Sequence, residues 1–111
     1  MEFKAAHKRA PISPKKAQDV IELIRDKHVH EALQILRSNS RRASKLIDKV
    51  LRSAIANADE SLEADMENLY VKRAYVNQGP TRKKYRPRGR GQVGTERKRT
   101  SHLNIILDDG Q

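Results

Sequence analysis

A run of basic residues in the C-terminal half of the 111-residue chain carries the clearest chemical signal. Its members are Arg82, Lys83, Lys84, Tyr85, Arg86, Pro87, Arg88, Gly89, Arg90 and Gly91. Arginine and lysine neutralise phosphates and release counterions, which gives affinity for a polyanion without reading its sequence. Glycine lets the backbone approach such a partner closely, and the ring of Tyr85 is suited to stacking on an unpaired base. The run therefore predicts a contact with nucleic acid.

The alternative interpretation of the basic run is a flexible, solubilising tail. A terminal tail is not usually followed by a regular strand, yet Leu103, Ile105 and Leu107 occupy every second position after the run. This spacing is typical of a half-buried strand, so the run is predicted to connect two strands rather than to trail from the fold.

A second group of cations lies near the N-terminus and comprises Lys4, Lys8, Arg9, Lys15 and Lys16. Lys15 and Lys16 fall in the first turn of a predicted helix, where the helix dipole disfavours positive charge. An external anion would explain their position. The alternative, that they are ordinary surface lysines, has equal weight.

Histidines and catalytic motifs give weaker signals. His28 and His30 are two residues apart and could share a metal on a loop, but with no cysteine and no carboxylate pair at ligand spacing we predict no metal site. His102 is predicted to contact RNA or to lie on a sheet surface. We find no phosphate-binding or hydrolase motif, so neither an enzyme nor a cofactor or small-molecule substrate is expected.

The net charge of +10 is concentrated in one segment. Residues 72–99 contain eleven basic and one acidic residue, whereas residues 17–71 are slightly acidic. A polyanionic partner fits this distribution. No apolar run approaches the roughly 20 residues that span a bilayer, and the N-terminus lacks a secretory signal, so the expected location is cytoplasmic, without a membrane partner.

Hydrophobic periodicity predicts three helices and a small antiparallel sheet. The helices are expected at about 14–25, 30–37 and 41–58, with Ser13 and Ser40 as N-caps, followed by an acidic connector at 59–67. Strands are expected at 68–77, with a bulge, at 98–108 and near residues 4–7. The predicted fold class is α+β: one domain whose helices pack on the sheet, with a body at about 1–76 and 98–111. A long, protruding, basic β-hairpin at about 77–97 turns near Gly89–Gly91.

Several motifs, in order along nearly the whole chain, carry a resemblance to a known family. They include Ile12-Ser13-Pro14-Lys15-Lys16, Ala32-Leu33-Gln34-Ile35-Leu36, Val50-Leu51-Arg52-Ser53-Ala54-Ile55-Ala56-Asn57-Ala58 and Lys98-Arg99-Thr100-Ser101-His102. With these motifs the chain resembles the bacterial-type large-subunit ribosomal protein twenty-two. Three positions depart from the family pattern: Asp26, where glycine is usual, and Gln92 and Glu96, which make the descending hairpin arm less basic and less apolar.

The resemblance implies a structural protein of the large ribosomal subunit that supports its assembly. Its implied partners are 23S-type rRNA, large-subunit protein four and the nascent polypeptide. The hairpin tip, residues 82–91, is implied to form part of the wall of the nascent-peptide exit tunnel. Contacts with rRNA are expected at Lys8, Arg9, Ser13, Lys15, Lys16, Arg25, Arg82, Lys83, Lys84, Tyr85, Arg86, Arg88, Arg90, Lys98, Arg99, Thr100, Ser101 and His102.

Two other classes compete with the ribosomal interpretation. Three helices followed by a strand pair also fit a winged-helix DNA-binding module. The long, apolar-striped third helix and the long, evenly basic wing are atypical of that class. A cationic membrane-surface protein is the weaker alternative, because the basic run has no amphipathic helical pattern.

Overall fold

Five strands and three helices make up the part of the chain described by the computed structural model, residues 1–88 and 92–110, in which 82–88 and 92–97 are described by their backbone. In chain order the elements are β1 (Glu2–Ala10), α1 (Pro14–Ile21), α2 (Val29–Ser38), α3 (Arg42–Glu60), β2 (Tyr70–Gln78), β3 (Arg82–Arg88), β4 (Gln92–Lys98) and β5 (Ser101–Asp108). Short 3-10 turns lie at Glu22–Ile24 and Met66–Asn68.

Strand β5 is the centre of a three-stranded antiparallel sheet with the order β1-β5-β2. Successive side chains of a strand point to opposite faces, and Leu103, Ile105 and Leu107 are fully buried on the face that the helices cover. Phe3 of β1 and Val71 of β2 both lie opposite Leu107, so the apolar face crosses all three strands. Helices and sheet together confirm the predicted α+β fold class.

Helix α3, with 19 residues, is the central helix that the sequence predicted. It packs against β1 and β5 on one side and against α1 and α2 on others. Its buried apolar residues are Ala43, Ile47, Val50, Leu51, Ala54 and Ala58. Apart from the adjacent Val50 and Leu51, they are three or four residues apart, which keeps one stripe facing the core and explains why the prediction succeeded here. The predicted N-cap at Ser40 was wrong: Arg41 occupies that position.

The first helix is shorter than predicted because the residues after it form hydrogen bonds with the edge strand β2. Arg25 has an extended backbone, with φ −61° and ψ 137°, so the helix stops before it. The N–H of Asp26 donates to the Val71 carbonyl at 3.0 Å, and the Val71 N–H donates to the Lys27 carbonyl at 2.9 Å. Asp26 has a φ of 62°, in the left-handed region that glycine adopts most readily. Strand pairing has replaced the last helical hydrogen bonds.

Strand β2 contains the predicted bulge, since its register with β5 shifts between Val71 and Arg73. Its pairing ends at Gln78 opposite Ser101. A separate two-stranded sheet, β3–β4, begins with Arg82 opposite Lys98 and continues to Arg88 opposite Gln92. The predicted turn at Gly89–Gly91 lies outside the described residues. The predicted strand 98–108 is divided between two strands, because Lys98 ends β4 and β5 begins at Ser101.

The molecule is elongated, with principal dimensions of 63 × 25 × 17 Å and a radius of gyration of 17.1 Å. A compact domain of this length would have a radius of gyration of about 13 Å. The paired strands β3 and β4 extend beyond the body, and this accounts for the elongation.

Leu62, just after α3, offers a stability test. The helix continues to Glu60, into the predicted connector, and Leu62 then has a φ of 59° with 93% of its surface exposed. A left-handed conformation costs a residue with a Cβ about 1–2 kcal/mol. We expect Leu62→Gly to raise the free energy of unfolding by about 0.5–1 kcal/mol, after allowing for the greater freedom of glycine in the unfolded chain.

Chemical denaturation would measure this effect, with Leu62→Ala as the matched control. Alanine keeps the Cβ that strains the backbone while removing the same exposed side chain. An equal gain from both substitutions would show that exposure, and not backbone conformation, is the cause.

Candidate nucleic-acid interface

An open cleft of about 840 Å³ lies where the hairpin leaves the body. Five of its lining residues are cations, and none is acidic: Arg9, Lys16, Arg42, Lys98 and Arg99. The remaining lining residues are Pro11, Ile12, Ser13, Pro80 and Thr100. The cations come from β1, α1, α3 and the end of the hairpin, so the fold brings together charges that are up to 90 positions apart in sequence. Such a cleft is suited to phosphate groups.

Two helices begin at this cleft, and both do so without a side-chain cap. Ser13 takes the N-cap position of α1, as predicted, but its side chain makes no cap hydrogen bond, and the first turn contains no acidic residue. Helix α3 begins at Arg42, its N-cap residue Arg41 makes no cap hydrogen bond through its side chain, and its first turn contains no acidic residue. Helix N-termini carry partial positive charge and donate free N–H groups to anions. Cations at two such termini are therefore disfavoured by the helix dipoles. An anion bound between the termini would offset this repulsion.

Arg42 is a cleft residue that the sequence prediction missed. The available signal was the one used for Lys15 and Lys16: adjacent cations at a helix start with no acid in the first turn. Arg41 and Arg42 meet that description. They also line a smaller adjoining cleft that includes Lys16 and the carboxylate of Asp19.

A bulge in β1 directs Arg9 towards the cleft. The register of β1 shifts between His7 and Ala10, and Arg9 has a φ of 58°. The Arg9 N–H donates to Nδ1 of His102 at 3.1 Å. Bulges commonly redirect a side chain in this way, so His102 supports the backbone conformation that places Arg9 in the cleft. The RNA contact predicted for His102 itself stays a prediction.

The root of the hairpin is held by contacts between Gly79, Pro80 and Thr100. The Gly79 N–H donates to the Thr100 carbonyl at 2.9 Å, and Thr100 Oγ1 donates to the Pro80 carbonyl at 2.7 Å. A Cβ placed on Gly79 would lie 2.5 Å from Thr100 Oγ1. Only glycine fits where the segments around Gly79 and Thr100 come this close together.

We expect Gly79→Ala to lower the free energy of unfolding by about 1–3 kcal/mol, because the added methyl must displace Thr100. Thermal unfolding would measure the loss. In a Thr100→Ala background the hydroxyl is gone, so the same substitution should cost less. Equal costs in both backgrounds would contradict a clash with Oγ1.

Other predicted site residues either lie apart from the cleft or use their side chains in hydrogen bonds within the body. Lys8 and Lys15 are exposed but do not line it. Arg25 uses its Nε to donate to the Ala74 carbonyl at 2.9 Å. Ser101 is fully buried and its hydroxyl donates to the Ile12 carbonyl at 2.6 Å. The predicted RNA contacts of these residues stay predictions, as do those of the hairpin side chains.

His28 has a structural role that the sequence did not reveal. It is the N-cap of α2: its Nδ1 accepts from the His30 N–H at 3.2 Å, and its Nε2 lies 2.7 Å from the Glu67 carbonyl. With Nδ1 an acceptor, Nε2 carries the proton and donates to Glu67. No group of three or more metal-ligating side chains occurs among the described residues.

Fold and cleft together define a basic α+β protein with a cleft lined by cations. The chain matches the family Ribosomal protein L22p/L17e over residues 5–108. It is 55% identical over 107 residues to the large ribosomal subunit protein uL22 of Carboxydothermus hydrogenoformans, covering 96% of this chain and 95% of that one. The uL22 protein of Halothermothrix orenii is 50% identical over 109 residues, covering 98% and 96%. That of Pelotomaculum thermopropionicum is 48% identical, with the same coverage.

The chain therefore belongs to the ribosomal protein L22p/L17e family. This membership confirms the resemblance inferred from the motifs and makes the protein a structural component of the large ribosomal subunit, and not an enzyme. It also decides against the winged-helix and membrane-surface alternatives. Within the part of the chain that the structure describes, no helix has the length and apolar character needed to cross a membrane.

Proposed function

We propose that the protein binds 23S-type rRNA through the basic cleft and the hairpin that leaves it. The observation that supports this most strongly is the cleft, where five cations and two uncapped helix N-termini meet without an acidic lining residue. Phosphate oxygens would accept hydrogen bonds from the cations and from the free N–H groups of both helices. The cleft would then fix the orientation of the hairpin in the assembling subunit.

The hairpin itself is proposed to enter the rRNA and to contribute its tip, residues 82–91, to the wall of the nascent-peptide exit tunnel, next to large-subunit protein four. The support is the paired backbone of β3 and β4, which projects from the body, and the basic sequence of β3. A charged arm without an apolar face gains its order from the polyanion around it.

Binding measured across a salt titration tests the rRNA proposal. The full chain is titrated with 23S-type rRNA fragments and with duplex DNA of equal length. We expect tighter binding to the rRNA and a steep fall in affinity with salt, as phosphate contacts require. Tighter binding to a specific DNA duplex at physiological salt would contradict the proposal.

A single introduced cysteine tests the tunnel position. The chain contains no cysteine, so Arg88→Cys gives one reactive thiol on the last described residue of the ascending arm. In ribosomes stalled with a cysteine-bearing nascent chain, oxidation should link the two. Asp59→Cys, on the exposed end of α3, is the matched control and should not react. Equal linking at both positions, or at neither, would refute the tunnel assignment.

A further inference from the structure

The face of the three-stranded sheet that points away from the helices carries an ordered set of side chains outside the cleft. Lys4, Ile106 and Arg73 form one row across β1, β5 and β2. Ala6, Asn104 and Tyr75 form the next row. Neighbouring strands are about 4.8 Å apart, so the Cα atoms at the two ends of a row are about 10 Å apart. We refer to these six residues as the outer face.

Ile106 lies between the two cations of the outer face. It points away from the helices, yet only 8% of its surface is exposed. Its neighbours in register are Lys4 and Arg73, and aliphatic stems of such side chains readily cover an apolar residue while their charged ends stay in water. Neither cation forms an ion pair with any residue that the structure describes.

The acidic residues on this side of the sheet, Glu2 and Asp108, form ion pairs with Lys72 and with the N-terminal amine. Lys72 donates to Glu2 at 2.7 Å and forms an ion pair with Asp108 at 3.4 Å. The hydrogen bond from Lys72 holds the pKa of Glu2 below its usual range. Lys4 and Arg73 therefore remain as cations of the outer face that form no ion pair with a described residue.

Tyr75 gives the outer face an exposed aromatic ring. It is 39% exposed and shares its row with the small side chain of Ala6 and the uncharged Asn104. RNA-binding sheets stack unpaired bases on aromatic rings of this kind, while nearby cations contact the flanking phosphates. An acidic protein surface would need the cations but would have no specific use for the ring.

We propose that the outer face binds a single-stranded segment of RNA, with a base stacked on Tyr75 and the flanking phosphates bound by Lys4 and Arg73. The inference rests on the proposed function for the class of partner. It adds a second RNA-binding surface, separate from the cleft. Through two such surfaces the body would join two segments of RNA.

Binding of the full chain to a single-stranded RNA of about ten nucleotides tests this surface. Tyr75→Leu removes the ring and is expected to weaken binding by about 5- to 100-fold, whereas Tyr75→Phe keeps the ring and should bind as the unaltered protein does. Lys4→Gln with Arg73→Gln keeps the stems over Ile106 and should lower the salt slope of log affinity by about 1.4, or about 0.7 for each phosphate.

The matched control is Arg37→Gln with Arg52→Gln, an equal loss of charge on α2 and α3, and thermal unfolding checks that every variant is folded. Photocrosslinking with thiouridine-substituted RNA should label residues 70–78 in the unaltered chain and not in Tyr75→Leu. If the outer-face variants bind like the control pair while cleft variants lose affinity, this inference is wrong and the proposed function stands. If the unaltered chain binds no RNA, both fail.

Discussion

Replacing Arg42, Lys98 and Arg99 together with glutamine is expected to weaken binding to 23S-type rRNA by at least about tenfold at physiological salt. The slope of log affinity against log salt should fall by about 2 to 3, because each phosphate contact contributes about 0.7 to 0.9 to it. These three side chains line the cleft from α3 and from the end of the hairpin. Glutamine keeps much of their length and their hydrogen bonding while removing the charge.

The control for this variant is the triple replacement of Arg37, Lys49 and Arg52 with glutamine. These exposed cations belong to α2 and α3 and lie outside the cleft lining. The control removes the same total charge, so it reports the general field of the protein. Equal losses of affinity and of salt slope in the two triple variants would show that charge alone matters and that the cleft has no special part.

Ile105→Ala is expected to lower the free energy of unfolding by about 2–5 kcal/mol, which is the range for a buried large aliphatic side chain whose loss leaves a cavity. Ile105 lies on the central strand between Ala5 and Ala74, both too small to fill the space. Since small domains are stable by only about 5–15 kcal/mol, the variant should unfold at a much lower temperature.

Ile106→Ala is the matched control for this prediction, because it removes the same side chain from the next position of the same strand. Ile106 lies on the outer face, where the stems of Lys4 and Arg73 can close over a smaller residue. We expect a loss of about 1–2 kcal/mol, measured by urea denaturation. A larger loss at Ile106 than at Ile105 would contradict the assignment of the core face.

The sequence predicted those parts of the fold whose pattern is local. The apolar stripe from Ala43 to Ala58 and the alternation from Leu103 to Leu107 each depend on one element and its period. The end of α1 could not be predicted, because it depends on the bond between Asp26 and Val71, which are far apart in the chain. The break between β4 and β5 likewise follows from the contacts of Thr100 with Gly79 and Pro80.

The candidate site shows the same division. Lys16 was recognised from a local cluster of charge, whereas Lys98 and Arg99 were assigned through the resemblance to a known family. Arg42 was missed although the same helix-start signal marked it, and only the folded chain shows that two helix starts converge on one cleft. The outer face was also missed, because Lys4, Arg73 and Tyr75 become neighbours only through their common pairing with β5.

The strand order β1-β5-β2 also determines when the body can fold during synthesis. The two outer strands do not pair with each other through their backbones, and each pairs with β5, which is made after the hairpin. Until residues 101–108 leave the ribosome, the sheet has no centre and the helices lack the middle strand of the surface they cover. Sheets built from such distant pairings form slowly. The basic hairpin is therefore synthesised before the strand that completes the sheet, so a newly made chain carries its strongest charge while its own core is still open.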